Sequence, residues 1–541
     1  MAAEAPWWKR AVFYQIYPRS FADGNGNGVG DLAGIIHRLP YIASLGIDAI
    51  WLSPFFRSPM KDYGYDVADY RDVDPLFGTL SDFDRLLEHA HLLGLKLIID
   101  QVWSHTSDQH SWFRDSAARR GGYDEWYVWA DAKPDGTPPN NWQASFGGPA
   151  WTWHPGRRQY YLHNFLSSQP DLNFHNPAVQ DAILDVARFW LDRGVDGFRL
   201  DVINYVAHNP ALTDNPVARY AATPPATIRF QRQRHNKSQP EALAFVARLR
   251  ALLDDYDDRM AVGEIFDDDM LARQLEYTDG PDRLHTAYSF HLLNARKATP
   301  DLFADAIMAW TDAAGWPSWS LGNHDVPRFP TRLAADDPRL TRSSMLLLLC
   351  MRGTPFLYQG DELGLPQARV PFERLRDPFA IASWTEDAQD AGRDGARTPM
   401  PWTEDMLRTE TWLPIDSRHL ALAVERQERV PHSTLQFTRR LLALRRAHPA
   451  LQYGDARLVE APAGVLAFER QLGDQRLLCL FELSGAESTY DLQGPGALLD
   501  TGLPAQAADG QVTLPAYGAA ILALSQAPCS ASPSASAAGV R

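Results

Sequence analysis

Three acids in the 541-residue sequence each stand directly behind a short apolar run: Asp201 ends Gly197-Phe-Arg-Leu-Asp201, Glu264 ends Ala261-Val-Gly-Glu264, and Asp325 closes Gly322-Asn-His-Asp325. A single acid after a strand is commonly a helix cap. Three of them, spaced by about 60 residues and with Arg199 and His324 beside two of them, call for another account. If the runs are parallel strands of one barrel, their ends open on a common face and the acids converge there. Two converging carboxylates, one ionised and one protonated, are what cleavage of a glycosidic bond requires.

The elements needed to hold the acids in that way are legible. Asp31 caps a segment with Leu32, Ile35, Ile36, Leu39 and Ile42 on one face, and Gly46 ends it. The strand Ile47 to Leu52 follows. Ser81 is expected to open a second helix, with Phe83, Leu86, Leu87, Ala90 and Leu93 on its stripe and Gly94 at its end. Leu95 to Ile99 is the next strand. Asn176-Pro177 starts a further helix as cap and first residue, Gly194 stops it, and Val195 to Leu200 is again a strand. Further strands are expected at Val12–Tyr17, Met260–Ile265, His285–Phe290, Ser318–Leu321 and Pro355–Tyr358. Eight strands alternating with helices give an α/β class and a (β/α)8 TIM barrel, with an open doubly wound sheet as the alternative. No GxGxxG follows the first strand, which weakens a dinucleotide-binding version.

Two regions break the rhythm. Residues 103–170 are rich in Trp, Gly and Pro and lack helical periodicity, so they read as a subdomain inserted after strand 3. Residues 454–525 carry short alternating runs and read as a C-terminal antiparallel β domain. That leaves 1–102 and 171–453 for the barrel, and 526–541, rich in Ser, Ala and Pro, as a disordered tail.

Composition narrows the partners. Lys+Arg number 52 against 67 Asp+Glu, a net charge of −15, which argues against nucleic acid or an anionic membrane as the main partner. No apolar run approaches the roughly 20 residues of a membrane span. The start has no apolar signal core, so the cytoplasm is the expected compartment. Cys350, Cys479 and Cys529 are too few and scattered for a disulfide framework or a zinc cluster.

Four blocks, Asp100-Gln-Val-Trp-Ser-His105, Gly197-Phe-Arg-Leu-Asp201, Val262-Gly-Glu264 and Asn323-His-Asp325, in this order and spacing, resemble the α-amylase family, glycoside hydrolase family 13. Gln169-Pro-Asp-Leu-Asn173 and Ala396-Arg-Thr-Pro-Met400 narrow the likeness to its oligo-1,6-glucosidase and α-glucosidase branch. The resemblance implies a retaining, exo-acting enzyme on short α-glucosides, with Asp201 as nucleophile, Glu264 as acid and then base, and Asp325 holding the distorted sugar. It also implies that Arg199 keeps the nucleophile ionised and that His105 and His324 bind hydroxyls of the terminal glucose. Asp66 and Arg397 match residues that grip the far end of that glucose, and Tyr65 would stack on it. Phe146 and Phe165 are candidates for pocket walls, whereas Trp126, Trp129, Trp142, Trp151 and Trp153 read as core of the insertion.

Departures from the pattern are Ser104, where Asn usually precedes the histidine, and Pro401, where Gln is common. Val202 resembles α-1,6-cleaving members, whereas the loop Asn204 to Pro240 follows no pattern of theirs. No organic cofactor is implied. Asp23, Asn25, Asn27, the Val29 carbonyl and Asp31 place oxygen ligands at alternate positions, as in the first part of a calcium loop, for structural Ca²⁺ or Mg²⁺. A glycine-rich turn is the plainer reading of the same residues. Monomer and homodimer both remain open. The rival readings are a sucrose- or trehalose-acting transferase or isomerase of the same family, and a catalytically inactive binding subunit.

Overall fold

All eight expected strands form. They are β1 (Phe13–Ile16), β2 (Ala49–Leu52), β3 (Lys96–Gln101), β4 (Gly197–Leu200), β5 (Met260–Ile265), β6 (Thr286–Ser289), β7 (Ser318–Ser320) and β8 (Thr354–Tyr358). The structure is a computed structural model that describes residues 5–218, 231–383, 392–406 and 410–525. Every pairing in the large sheet is parallel, in the order β6-β5-β4-β3-β2-β1-β8-β7. A parallel bridge from Ala287 in β6 to Pro317, just before β7, joins the two edges. The sheet is thus a barrel and not the open alternative.

Side-chain alternation along each strand sorts residues into two environments. Phe13, Trp51, Ile98, Met260, Val262, Tyr288 and Phe356 share an inner cluster, with Phe13 stacked on Phe356 at 4.5 Å. Their neighbours Tyr14, Ile50, Leu97, Ile99, Phe198, Leu200 and Ala261 belong to the larger core, which also holds the helices. Arg199 lies between Phe198 and Leu200, so it takes the inner parity, as do Asp201 and Glu264. Gly197 lets β4 sit tight against β5: its φ is +153°, and a Cβ there would fall 2.0 Å from the Met260 carbonyl oxygen.

The outer helices follow their caps. In α1 (Leu32–Leu45) Asp31 accepts from the Gly34 amide, and Gly46 ends the helix at φ +93°. In α2 (Leu80–Leu92) the cap is Thr79, not the expected Ser81: Thr79 and Asp82 exchange hydrogen bonds in a capping box, which sets the helix start two residues earlier. In α3 (Pro177–Asp192) Asn176 accepts from the Ala178 amide. Helix α4 (Pro240–Asp254) then leads to β5.

After β3 the chain leaves the barrel, and strands Trp129–Ala130, Trp151–His154 and Gln159–Leu162 form a small antiparallel sheet. Trp142 and Trp151 are buried in its core, but Trp153 is 42% exposed and is no core residue. From Asp455 to Leu524 the strands form an antiparallel five-stranded and a three-stranded sheet. The expected disordered tail, 526–541, and Cys529 lie outside the described residues, as does part of the loop from Asn204 to Pro240. Among the described residues no helix is long and apolar enough to cross a membrane.

Candidate active site

The strand register brings the acids together. Asp100 of β3 and Val262 of β5 both lie level with Arg199 of β4. Arg199, fully buried, donates through Nη1 to Asp100 at 2.8 Å and to Asp201 at 2.7 Å, and through Nη2 to Glu264 Oε2 and to the Tyr288 hydroxyl. Trp51 lies under the guanidinium at 4.8 Å. Glu264 Oε2 also accepts from the Val202 amide at 3.2 Å, and Val202 itself has φ +31°, a strained conformation for a β-branched residue.

One guanidinium thus faces three carboxylates. Burial pushes Glu264 well above the ordinary range, against the pull of Arg199 and with the help of the Asp201 and Asp325 charges. Burial also raises Asp201, and it raises Asp100 to about 7, again against Arg199. Three negative charges around one positive charge away from water is unfavourable, so a proton belongs in this cluster. Of the two acids that line the cavity beside Arg199, Glu264 is the one raised well above its ordinary range.

Asp325 is treated differently. Burial disfavours its charge, but Arg397 and Arg393 outweigh that and hold it below the ordinary carboxylate range. The arginines are the physical cause, because burial keeps His324 neutral. Arg397 donates to Asp325 Oδ1 at 2.8 Å, and Arg393 approaches the same oxygen at 3.4 Å. His324 Nε2 lies 3.0 Å from Asp325 Oδ2 but is not aligned for a hydrogen bond. The His324 ring is held between Tyr65 and Tyr17, with centroids at 5.1 and 5.5 Å. His105 sits 2.9 Å from Ser104 Oγ, so serine at this position still supplies a polar contact to the ring.

A cavity of about 310 Å³ opens above these groups. Its walls include Asp201, Glu264 and Asp325, and the expected Tyr65, His105, Phe146 and Phe165. The expected Asp66, His324 and Arg397 are not among them. Asp66 is fully buried and accepts from Ser58 Oγ and from the Lys61 and Asp62 amides, so its oxygens hold a turn together. Arg397 lies behind Asp325 and also donates to the His324 carbonyl at 2.7 Å. The places of Asp66 and Arg397 in the wall are taken by Asp62 and Arg393, each four residues earlier, which pair at 2.7 Å. Asp377 and the Phe146 ring, 5.1 Å away, fix the Arg393 guanidinium. Sequence reasoning also missed Asp100 as a partner of Arg199, Gln169, which reaches Asp62 at 3.1 Å, and the wall residues Tyr205 and Phe266.

The glycine-rich loop has oxygens of the type a hard cation takes. Asp23 accepts from the Asn25, Gly26 and Gly28 amides, Asn25 from Asn27, and Asn27 from Val29, so the side chains turn into one loop. Asp31 Oδ1 accepts from the Gly24 and Gly34 amides. The donor set fits Ca²⁺ or Mg²⁺, with Asp23, Asn25, Asn27, the Val29 carbonyl and Asp31 as the residues that would hold it. Such an ion would supply cohesion to the loop. Among the described residues no group of three or more His, Cys, Asp or Glu side chains could hold a metal.

The α-amylase catalytic-domain model matches residues 15–454. The chain belongs to the α-amylase family. It is a glycoside hydrolase, and its relatives lie in the α-glucosidase and oligo-1,6-glucosidase branch. It is 48% identical to a probable α-glucosidase of Rhizobium meliloti (strain 1021), over 95% of this chain and 96% of that one. It is 36% identical to an oligo-1,6-glucosidase of Parageobacillus thermoglucosidasius, over 90% of this chain and 92% of the other. The crystal structure of an α-glucosyl transfer enzyme superposes with a TM-score of 0.93 at 47% identity, covering 96% of this chain and all of that one.

Proposed function

We propose that this protein is a retaining, exo-acting α-glucosidase that takes α-glucose from the non-reducing end of short α-1,4- or α-1,6-linked glucosides and also transfers the glucosyl group to other acceptors. The observation that carries this reading is that Asp201 and Glu264 are bound to the two Nη atoms of one buried guanidinium, at the floor of a cavity whose wall includes the Asp62–Arg393 pair. Carboxylates bridged in that way suit the roughly 5–5.5 Å of a retaining pair better than the wider gap of an inverting one.

Each acid has one oxygen committed to donors. Asp201 Oδ1 accepts from Arg199, and Glu264 Oε2 accepts from Arg199 and Val202. Asp201 Oδ2 is therefore the nucleophilic oxygen, and Glu264 Oε1 carries the proton. Oδ2 forms a bond to the anomeric carbon while the glycosidic bond breaks and the leaving oxygen takes the Glu264 proton. Water or a sugar hydroxyl then gives its proton back to Glu264 and displaces Asp201, which returns the α-anomer. Arg393, Asp62 and Asp325 would hold hydroxyls of the glucose through charged hydrogen bonds, and that wall would stop a longer chain from threading through.

Transfer is favoured as a companion activity because the protein superposes so closely on an α-glucosyl transfer enzyme. The deciding experiment incubates the protein separately with maltose, isomaltose, sucrose and trehalose and follows products by NMR. α-Glucose released first from maltose or isomaltose supports the proposal, and new disaccharides from maltose add transfer. β-Glucose as the first product, or no turnover of any of the four, would refute it.

A further inference from the structure

Lys237 is a lysine only 2% exposed, on the segment that leads into α4, and the chemistry described above does not use it. Its ammonium donates to the Phe266 carbonyl at 3.0 Å. It also lies 4.7 Å from the Phe266 ring centroid and 5.3 Å from that of Tyr205. Both rings line the cavity, whereas Lys237 does not reach it. Tyr205 comes four residues after Asp201, and Phe266 comes two residues after Glu264. One charge therefore joins the segments leaving the two strands that carry the reacting acids.

The contacts around this charge are specific. Asn204, fully buried, donates to Ser238 Oγ and to the Phe266 carbonyl, both at 2.9 Å. Ser238 Oγ donates to Asp267, which lies 3.4 Å from Arg273. The Tyr205 hydroxyl donates to Gln233. A buried ammonium is costly unless it is well paired. Here it is shared between a carbonyl and two aromatic faces, the arrangement in which a desolvated cation–π contact is strongest.

Which half of the cavity these rings form follows from the chemistry proposed for Glu264. A general acid must stand on the leaving-group side, and Phe266 is on the same strand exit. Resting on that reading, we propose that Lys237 is a positioning residue for the leaving-group and acceptor side of the cavity, holding Tyr205 and Phe266 as the wall against which the second sugar lies. A residue that only satisfied the Phe266 carbonyl would affect all substrates alike.

The test compares maltose with α-glucosyl fluoride, whose leaving group is a single small atom that barely uses this wall. In Lys237→Met, kcat/KM for the fluoride should stay within about twofold of wild type, while kcat/KM for maltose falls about tenfold, the loss expected when a buried cation–π contact and a charged hydrogen bond are removed. The ratio of transfer to hydrolysis products from maltose should fall with it, and Lys237→Arg should recover most of both. If Lys237→Met does not fold, Lys237→Gln, which can still donate to the carbonyl without the charge, should show the same split. Equal losses on both substrates, or no loss on maltose, would overturn the proposal. Failure of the wild-type protein to release α-glucose from the fluoride would instead overturn the function on which it rests.

Discussion

Arg393 Nη2 donates to Asp62 at 2.7 Å, although 331 positions separate them in sequence. The pair joins the segment after β2 to the segment after β8 and forms part of the cavity wall that also contains the acids. Its partners are charged and buried, and Asp377 holds Arg393 from the far side at 2.8 Å. On the proposed function, a sugar hydroxyl inserted here would meet donors and acceptors already fixed by Asp377 and by the pair itself.

Substitution at this pair should therefore act on binding. Asp62→Asn and Arg393→Lys are expected to lower kcat/KM for maltose about 10- to 100-fold, the cost of one charged hydrogen bond, mainly by raising KM. Asp66→Asn should behave in the opposite sense. Its carboxylate holds the Lys61 and Asp62 amides and Ser58 Oγ, so the loss, about 1–3 kcal/mol, should appear as a lower melting temperature. Steady-state kinetics and thermal unfolding of the three variants separate the cases.

The two acids proposed to react should fail in different ways. Asp201→Asn is expected to abolish turnover of every glucoside, because no bond to the anomeric carbon can form; full activity would mean that the nucleophile lies elsewhere. Glu264→Gln should lose maltose turnover by at least about 10³-fold. It should still react once with α-glucosyl fluoride, whose leaving group needs no proton, and azide should then release the trapped glucosyl group as β-free, α-configured glucosyl azide. Mass spectrometry of the protein and NMR of the product check both steps.

The pH profile follows from the same pair. On the proposed mechanism, activity requires Asp201 ionised and Glu264 protonated. Burial raises both above their ordinary values, Glu264 well above. Activity should thus fall on the acid side as Asp201 gains a proton, and on the alkaline side as Glu264 loses one, with limbs that belong to the coupled pair. Arg199 lowers both acids, so in Arg199→Gln both limbs should move to higher pH on top of a large loss of rate. A measured kcat/KM profile with limbs shifted downward would contradict the geometry.

What was legible in the sequence depended on whether a local signal had a competitor nearby. Several barrel strands are clear because glycine precedes the apolar run, as Gly46, Gly94 and Gly194 do, and Asp201 and Glu264 are clear because they end such runs. The far end of the cavity was not. Lys61-Asp-Tyr-Gly-Tyr-Asp66 offers two aspartates four apart, and Arg393-Asp-Gly-Ala-Arg397 two arginines four apart. Composition and spacing do not distinguish members of such pairs. Only the fold shows that Asp62 and Arg393 face the cavity while Asp66 closes a turn and Arg397 backs Asp325. Thr79 was missed for a similar reason, since Ser81 offered an equally good cap two residues on. Lys237 gave no signal, because its role depends on two aromatic residues from different strand exits.

The glycine-rich loop yields the last prediction. If Asp23, Asn25, Asn27, the Val29 carbonyl and Asp31 hold Ca²⁺ or Mg²⁺, the ion binds the folded loop alone and stabilises the protein by mass action, by about 2.7 kcal/mol at a concentration a hundredfold above Kd. Chelation should lower the melting temperature, Ca²⁺ should restore it, and Asp23→Ala should remove that response. The loop lies behind the cavity and not within it: the Trp412 amide donates to the Gly28 carbonyl, the Trp412 ring lies 6.3 Å from Tyr17, and Tyr17 stacks on His324. Loosening this chain of contacts should raise KM while leaving kcat nearly unchanged, because neither Asp201 nor Glu264 touches it. A melting temperature indifferent to chelator and to Ca²⁺ would show that the loop is a turn held by its own backbone amides.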